Sequence, residues 1–447
     1  MVPSFDAMAP LMFAGLVAFL LLGYPVAFSL AAVGLGFGAI AIKLGYFDFV
    51  LLQALPERIY GILNNQLLLS IPFFTFMGAV LERCGLAEDL LDTMGQLFGP
   101  IRGGLAYSVI LVGALLGAVT GTVAASVIAM GLISLPVMQR YGYDPRVATG
   151  VIAASGTITQ IIPPSLVLVV LADAMGQSLG DMYAGAFLPS FVLVGLFCLW
   201  IFIVSIVWPE KVPALPLSVR TASVGVLFVR CMVSMVPSLV LIFLVLGTIL
   251  VGFATPTEAG AMGAVGALLL AILHGRLTWK LLKESMDTTL KLTTMVMFIL
   301  VGSTVFSLVF RGVDGDLWIE RMLTGLPGGV VGFLIFVNLF VFFLAFFLDY
   351  FEIAFIIMPL LAPVAQKLGI DLVWFGVLIG VNMQTSFMHP PFGFALFYLR
   401  SVAPPSIKSS DIVLGSIPWV IIMLIMVGLV ITFPGMVSLS VQIFGRF

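Results

Sequence analysis

The sequence predicts an all-α polytopic membrane protein built from two copies of one unit, and three observations predict it. Of the 447 residues, 62% are hydrophobic and only 9% charged, at a mean hydropathy of +1.24. A soluble fold of this size could not cover its surface with so few charges, whereas lipid solvates such a chain. The long apolar runs are interrupted twice, at Ser155–Ser165 and at Asn382–Gly393, where paired prolines remove backbone donors and clash with the preceding turn. The two interruptions share one ungapped register. Pro163 and Pro390 stand 227 positions apart, and the same offset carries Pro136, Gln139, Gly142 and Asp144 onto Pro363, Gln366, Gly369 and Asp371.

The remaining composition excludes several functions. A formal net charge of −2 leaves no basic face for nucleic acid. Cys84, Cys198 and Cys231 are too scattered for a disulfide framework or a transition-metal site. The N-terminus has no basic region ahead of its apolar run, so it reads as a retained first helix and not a removed signal.

In chain order, residues 8–42 make a helical hairpin turned by Gly23-Tyr24-Pro25, because 35 helical residues would overrun a bilayer of about 30 Å. Residues 46–62 mix Asp48, Glu57 and Arg58 with apolar positions and suit the interface. A span follows at 67–81, then an acidic amphipathic arm over 82–102. The pieces 105–118 and 123–135 are short for upright spans, so a re-entrant hairpin with its tip at 119–122 is expected. A broken helix over 147–172 and a span at 182–208 complete the first half. A Pro-containing linker, 212–218, separates it from the second.

The second half reads as spans at 231–250 and 257–274, and a basic segment at 276–291 that marks a cytoplasmic side. After these come an apolar helix at 292–309, an acidic surface segment at 311–321, and an apolar run over 329–361 broken by Asp349 and Glu352. A second broken helix occupies 371–399, and 412–433 makes the final span. The 227 register places Thr120-Gly121-Thr122 against Phe347-Leu348-Asp349 and Cys84-Gly85 against Arg311-Gly312. A shift to 224 pairs Gly78 with Gly302.

Non-helical backbone survives at membrane depth only where protein or a polar cavity satisfies it, so the two breaks point to a binding site. Duplicated units of this kind recur in secondary transporters, commonly with inverted topology, and fit a transporter better than a channel or an enzyme. Asp349 and Glu352 are costly in the membrane and are functional candidates by default. Asp349 either binds a coupling ion, Na⁺ or a proton, or caps the helix that follows it. His389 either meets substrate or packs. Glu258 reads as part of a helix start, Thr255-Pro256-Thr257-Glu258.

The segments Gly23-Tyr24-Pro25-Val26-Ala27-Phe28, Ile71-Pro72-Phe73-Phe74, Gly252-Phe253-Ala254-Thr255-Pro256-Thr257-Glu258-Ala259 and the two Pro-Pro breaks together resemble the large membrane (M) subunit of tripartite ATP-independent periplasmic (TRAP) transporters, over essentially the whole chain. The resemblance implies a multi-pass protein of the bacterial inner membrane and no enzyme. It implies sodium-driven import of a small organic anion, such as a dicarboxylate, oxo acid or sugar acid. The partners implied are a small four-helix membrane subunit and a periplasmic substrate-binding protein, with Na⁺ the coupling ion and no other cofactor. It also implies an elevator transporter with inverted repeats, two re-entrant hairpins and two discontinuous helices.

On that pattern 1–102 and 173–275 are scaffold, with the linker near 209–218. The transport-domain repeats are 103–172 and 329–399, the second arm and its connection are 276–328, and 400–447 is the C-terminal membrane helix. Sodium is assigned by the resemblance to Thr120, Gly121, Thr122, Ser155, Gly156 and Thr157 in one repeat and to Phe347, Asp349, Asn382, Met383 and Ser386 in the other. The anion falls to Thr159, Pro163, Pro164, Gln384, Thr385 and His389. A self-sufficient sodium/dicarboxylate symporter of related architecture is the alternative; it would transport without partners.

Overall fold

The computed structural model describes residues 7–120, 122–216, 224–390 and 392–445. All regular structure among them is helical, and eight helices are long and apolar enough to cross a membrane, or up to ten if each of two bent pairs is one span. The chain is a membrane protein. In order the helices are α1 (Met8–Leu21), α2 (Val26–Leu44), α3 (Leu55–Leu63), α4 (Gln66–Arg83), α5 (Leu86–Phe98), α6 (Gly104–Thr120), α7 (Val123–Arg140), α8 (Pro145–Thr157), α9 (Leu166–Met175) and α10 (Leu179–Val207). The second half contributes α11 (Val224–Leu250), α12 (Pro256–Leu273), α13 (Trp279–Gly312), α14 (Gly315–Thr324) and α15 (Gly329–Leu344). It continues with α16 (Tyr350–Lys367), α17 (Leu372–Gln384), α18 (Phe394–Val402), α19 (Ser409–Thr432) and α20 (Gly435–Phe444).

The repeat read from the prolines holds residue by residue. Helices α8 and α17 are each 13 residues long, and each runs into a three-residue 3₁₀ turn, Ile158–Gln160 and Thr385–Phe387. Both begin on an aspartate cap: Asp144 accepts from the backbone N–H groups of Arg146 and Val147, and Asp371 from that of Trp374. Helices α7 and α16 are each 18 residues long, with Pro136 and Pro363 at equivalent positions. The hairpins α1–α2 and α11–α12 repeat as well, turned by Gly23 at φ +78° and Gly252 at φ +73°, a left-handed conformation that glycine adopts without a Cβ clash.

The halves do not sit side by side; they exchange elements. Helix α12 of the second half lies along α4 of the first, and α2 of the first lies along α13 of the second. Helix α19 packs on α8, and α10 on α17. Small residues make the approach possible, as is usual between membrane helices. A Cβ on Gly150 of α8 would lie 2.3 Å from the Gly415 carbonyl oxygen of α19, and one on Gly302 of α13 2.4 Å from the Ala27 carbonyl oxygen of α2. The start of α12 is a full capping box: the Glu258 N–H donates to Thr255 Oγ1 (3.3 Å) and the Thr255 N–H to Glu258 Oε2 (2.8 Å), which gives Glu258 the structural role read from its phrase.

Three expectations are corrected. The basic segment 276–291 is not separate from the helix after it. Helix α13 runs unbroken for 34 residues from the Thr278 cap, with Lys280 and Glu284 paired one turn apart. The final span is followed by a further helix, α20, which Pro434-Gly435 concealed as a stop signal. It docks on α10, where Ser440 Oγ donates to the Ala184 carbonyl and accepts from the Leu188 N–H. The arms α5 and α14 correspond two positions away from the Cys84-Gly85 to Arg311-Gly312 match, because the left-handed residue that opens each is Gly85 (φ +67°) in one and Asp314 (φ +56°) in the other.

Gly150→Ala should destabilise the purified protein by about 1–3 kcal/mol, since backbone has to move to admit the new Cβ. Gly36→Ala on α2, where no atom lies within 4 Å of the added Cβ, should be neutral or stabilising. Equal melting temperatures for the two variants in thermal unfolding would contradict this packing.

Candidate functional site

Helix α8 ends at the first break with Ser155, Thr157, Thr159 and Gln160 all buried. Three glycines let its neighbours close on it. A Cβ on Gly113 of α6 would lie 2.7 Å from the Ser155 Cβ, one on Gly117 2.9 Å from the Thr159 Cα, and one on Gly156 2.3 Å from Val127 Cγ2 of α7. The hydroxyls turn back to carbonyls of the last helical turn: Thr157 Oγ1 donates to Ala154 O (2.8 Å) and Thr159 Oγ1 to Gly156 O (3.1 Å). Beyond them Pro163 and Pro164, joined by a cis peptide bond, supply no N–H. Carbonyls of the break find partners instead, Ile161 O accepting from Ser190 Oγ of α10 (3.1 Å) and Gln160 O from Ser165 Oγ. Ser165 Oγ in turn accepts from the N–H groups of Val167 and Leu168, capping α9.

The second break repeats the pattern. Thr385 Oγ1 donates to Asn382 O (2.7 Å) and Ser386 Oγ to Met383 O (2.6 Å); the latter is the counterpart of the Thr159 bond. Asn382 Nδ2 donates to Asn338 of α15, to the carbonyl at 2.8 Å and to Oδ1 at 3.0 Å. Asp349 caps α16, its Oδ1 accepting from the N–H groups of Phe351 (2.9 Å) and Glu352 (3.2 Å), while Glu352 Oε2 accepts from the Asp349 N–H (3.0 Å). Of the two readings left open for Asp349, helix capping is thus present in the fold. His389 is buried between Phe346, stacked at 4.3 Å, and Phe342, edge-on at 4.1 Å.

The two breaks touch each other. Gln384 Nε2 donates to Thr157 Oγ1 at 3.2 Å, and these residues are repeat equivalents, 227 positions apart. Equivalent residues can meet only where they lie beside the axis that relates the halves, so a pseudo-two-fold axis passes through this contact.

Around it the polar groups are incompletely satisfied. Among the described residues, seven of the eleven buried side-chain polar atoms without a hydrogen-bond partner belong to the two breaks: Ser155 Oγ, both amide atoms of Gln160, Asn382 Oδ1, Gln384 Oε1 and both ring nitrogens of His389. Buried polar groups are normally paired, and an orphaned cluster is where a ligand, ion or water belongs. The donors offered are hydroxyl, amide and carbonyl oxygens, a set suited to Na⁺; no group of three or more His, Cys, Asp or Glu with metal-binding geometry occurs among the described residues. No Lys or Arg lies in α6, in α9, in either break, or between Gly329 and Gln366.

The structure thus brings Ser155, Gly156, Thr157, Thr159, Asn382, Met383, Gln384, Thr385 and Ser386 together as one buried group. Thr122 stands at the start of α7 in extended backbone and makes no side-chain cap. Phe347 turns its ring outward, 60% exposed, and brings no side chain to the centre. Gly121 and the Thr120 side chain lie outside the described residues. Pro163 faces a cavity of about 460 Å³ between α5, α6, α10 and α11, apolar but for Ser190. One participant was not assigned from sequence: Asn338, detectable as the lone amide in the apolar run of α15.

Known proteins agree with this architecture. The profile of the family described as "Tripartite ATP-independent periplasmic transporter, DctM component" matches residues 13–436. The chain is 32% identical over 416 residues, 90% of its length and 92% of the relative's, to the C4-dicarboxylate TRAP transporter large permease protein DctM of Pseudomonas aeruginosa. It is 28% identical to the sialic acid TRAP transporter large permease protein SiaM of Vibrio cholerae, over 96% of this chain and 97% of that one. It is 25% identical to the 2,3-diketo-L-gulonate TRAP transporter large permease protein YiaN of Escherichia coli, over 97% and 99%. Among solved structures the crystal structure of the Alcanivorax borkumensis YdaH transporter shares the fold, with a TM-score of 0.60 at 15% identity over 86% of this chain and 88% of that one.

Removing the Asp349 cap should cost about 1 kcal/mol, typical of a lost helix N-cap. Asp349→Ala should therefore melt below the unsubstituted protein and Asp349→Asn, which can still accept from the same N–H groups, close to it. Equal melting of Asp349→Ala and the unsubstituted protein would remove the cap from the account.

Proposed function

We propose, from the premise that this chain belongs to the DctM-component family of tripartite ATP-independent periplasmic transporters and is a transporter permease subunit and not an enzyme, that it imports a small organic acid anion driven by sodium. The observation that carries the reading is the buried, charge-free cluster where the two breaks meet at Thr157 and Gln384. A membrane protein leaves such groups at its centre where something passing through replaces their missing partners.

Sodium suits this centre because neutral hydroxyl, amide and carbonyl oxygens can coordinate it, with the Asp349 carboxylate the one acidic residue among those assigned. Ser155 Oγ, Gln160 Oε1, Asn382 Oδ1 and Gln384 Oε1 are oxygens without partners. One ion is assigned to the first repeat, among Thr120, Gly121, Thr122, Ser155, Gly156 and Thr157. A second is assigned to the other repeat, among Phe347, Asp349, Asn382, Met383 and Ser386. The bound cations, with the N-termini of α9 and α18, attract the anion that no lysine or arginine is present to hold. Thr159, Pro163, Pro164, Gln384, Thr385 and His389 are proposed to line its place.

The exchange of elements between halves supports an elevator with inverted repeats. Helices α6–α9 and α15–α18 form the moving body, and α1–α4 and α10–α12 the scaffold against which it travels. The scaffold side is the surface for a small membrane subunit, and a periplasmic binding protein delivers the anion. Relatives of this chain carry permease names for C4-dicarboxylates, diketogulonate and sialic acid, which supports an organic acid as cargo.

Reconstitution of the chain with both partners in vesicles, with an imposed sodium gradient, tests the proposal. Accumulation of at least one organic acid that collapses when sodium is replaced by potassium is expected. Gln384→Leu, which removes the unpartnered Oε1 together with the amide's bond to Thr157 at similar volume, should lower that uptake at least about ten-fold, the effect of losing one well-placed polar contact of roughly 1.4 kcal/mol. Uptake that persists without sodium would overturn the coupling, and uptake by the chain alone would favour the self-sufficient symporter.

A further inference from the structure

The two halves of the proposed anion site differ in chemistry. Beside the polar residues of the second break lies an aromatic cluster: His389 lies between Phe342 and Phe346, Phe346 continues to Phe392 at 6.5 Å, and Phe392 is 56% exposed. A row of rings therefore leads from the buried break to the surface. The equivalent positions of the first repeat are Leu115 for Phe342, Val119 for Phe346, Ile162 for His389 and Ser165 for Phe392. The first break thus has no ring at these positions, and its unpartnered polar groups are the Gln160 amide and Ser155 Oγ.

Resting on the transport reading above, we infer that the cargo is a monocarboxylate with a planar aromatic or other unsaturated body, its carboxylate held at the first break and its body against the Phe342–His389–Phe346 cage of the second. A dicarboxylate would place its second charge beside phenylalanine rings at a break that contains no Lys or Arg, where the proposed second sodium alone would offset it, and burying a charge there costs more than burying an apolar body. A planar apolar body instead gains ring contacts, since aromatic pairs favour offset and edge-on arrangements. Both His389 nitrogens lack partners, so the ring can also donate to, or accept from, a keto or hydroxyl group on that body.

The test is competition binding in sodium on the purified complex of this chain with its small membrane subunit, without the periplasmic protein, using phenylpyruvate, pyruvate, succinate and malate. Phenylpyruvate is expected to bind at least about ten-fold more tightly than succinate, within the range that a shaped apolar pocket can discriminate. His389→Ile, which installs the first-repeat residue, should reduce that ratio at least about five-fold, and Phe346→Leu should do the same if the histidine variant does not fold. Succinate binding as tightly as phenylpyruvate, or a ratio unchanged in the folded variant, overturns the inference. Sodium-driven uptake separates the two levels: accumulation of dicarboxylates alone would leave the transport reading standing and remove this one, whereas no sodium-dependent accumulation of any acid would remove both.

Discussion

The 3.2 Å contact between Thr157 and Gln384 is the constraint on which the rest of the structure depends. It joins two residues at the same place in two copies of a unit, so both broken helices have to end at one point, beside the axis that relates them. Each break then lacks the backbone partners that a continuous helix would supply, and those have to come from neighbours. Ser190 of α10 donates to the Ile161 carbonyl and hydroxyls of Thr157, Thr159, Thr385 and Ser386 fold back on the last helical turns, while the Asn382 side chain donates outward to Asn338 of α15. What those neighbours leave unpaired is the proposed binding chemistry.

Meeting at an axis also dictates the packing outside the centre. Neither half can enclose its own break, and each is completed by the other: α19 closes on α8, α10 on α17, α9 against α17 and α18 against α7. Backbone-to-backbone approach at Gly150 and Gly415 makes the first of these possible. The same exchange sets α12 along α4 and α2 along α13, so the hairpins that frame the molecule also cross between halves. A protein joined in this way holds both breaks in register while leaving its polar centre free of fixed charge.

Much of this was legible in the sequence because proline and capping residues act locally. Pro163 and Pro390, Pro136 and Pro363, and Asp144 and Asp371 each report backbone state at one position, and their shared offset matched α7–α8 with α16–α17 residue for residue, though not the ends of each helix. The Thr255–Glu258 capping box was visible for the same reason. What was hidden depends on distant contacts. Helix α20 is ten residues long and needs α10 to dock on. The continuity of α13 through a basic segment depends on its Thr278 cap and on Arg276, which is engaged by Cys84 and Asp89 on the first arm. The arm register slipped because a left-handed turn can be made by Gly85 or by Asp314. No local pattern announces that Thr157 and Gln384 touch, or that Gln160 has no partner.

The proposed role of the centre follows from that unmet hydrogen bonding: neutral oxygens at the axis attract sodium, and sodium attracts the anion. Hydrogen–deuterium exchange of the complex in sodium against potassium tests the claim most directly. The account predicts slower exchange in sodium at both breaks, 155–165 and 382–393, with the scaffold helices α4 and α12 unchanged. Equal exchange at both breaks in the two salts would contradict it.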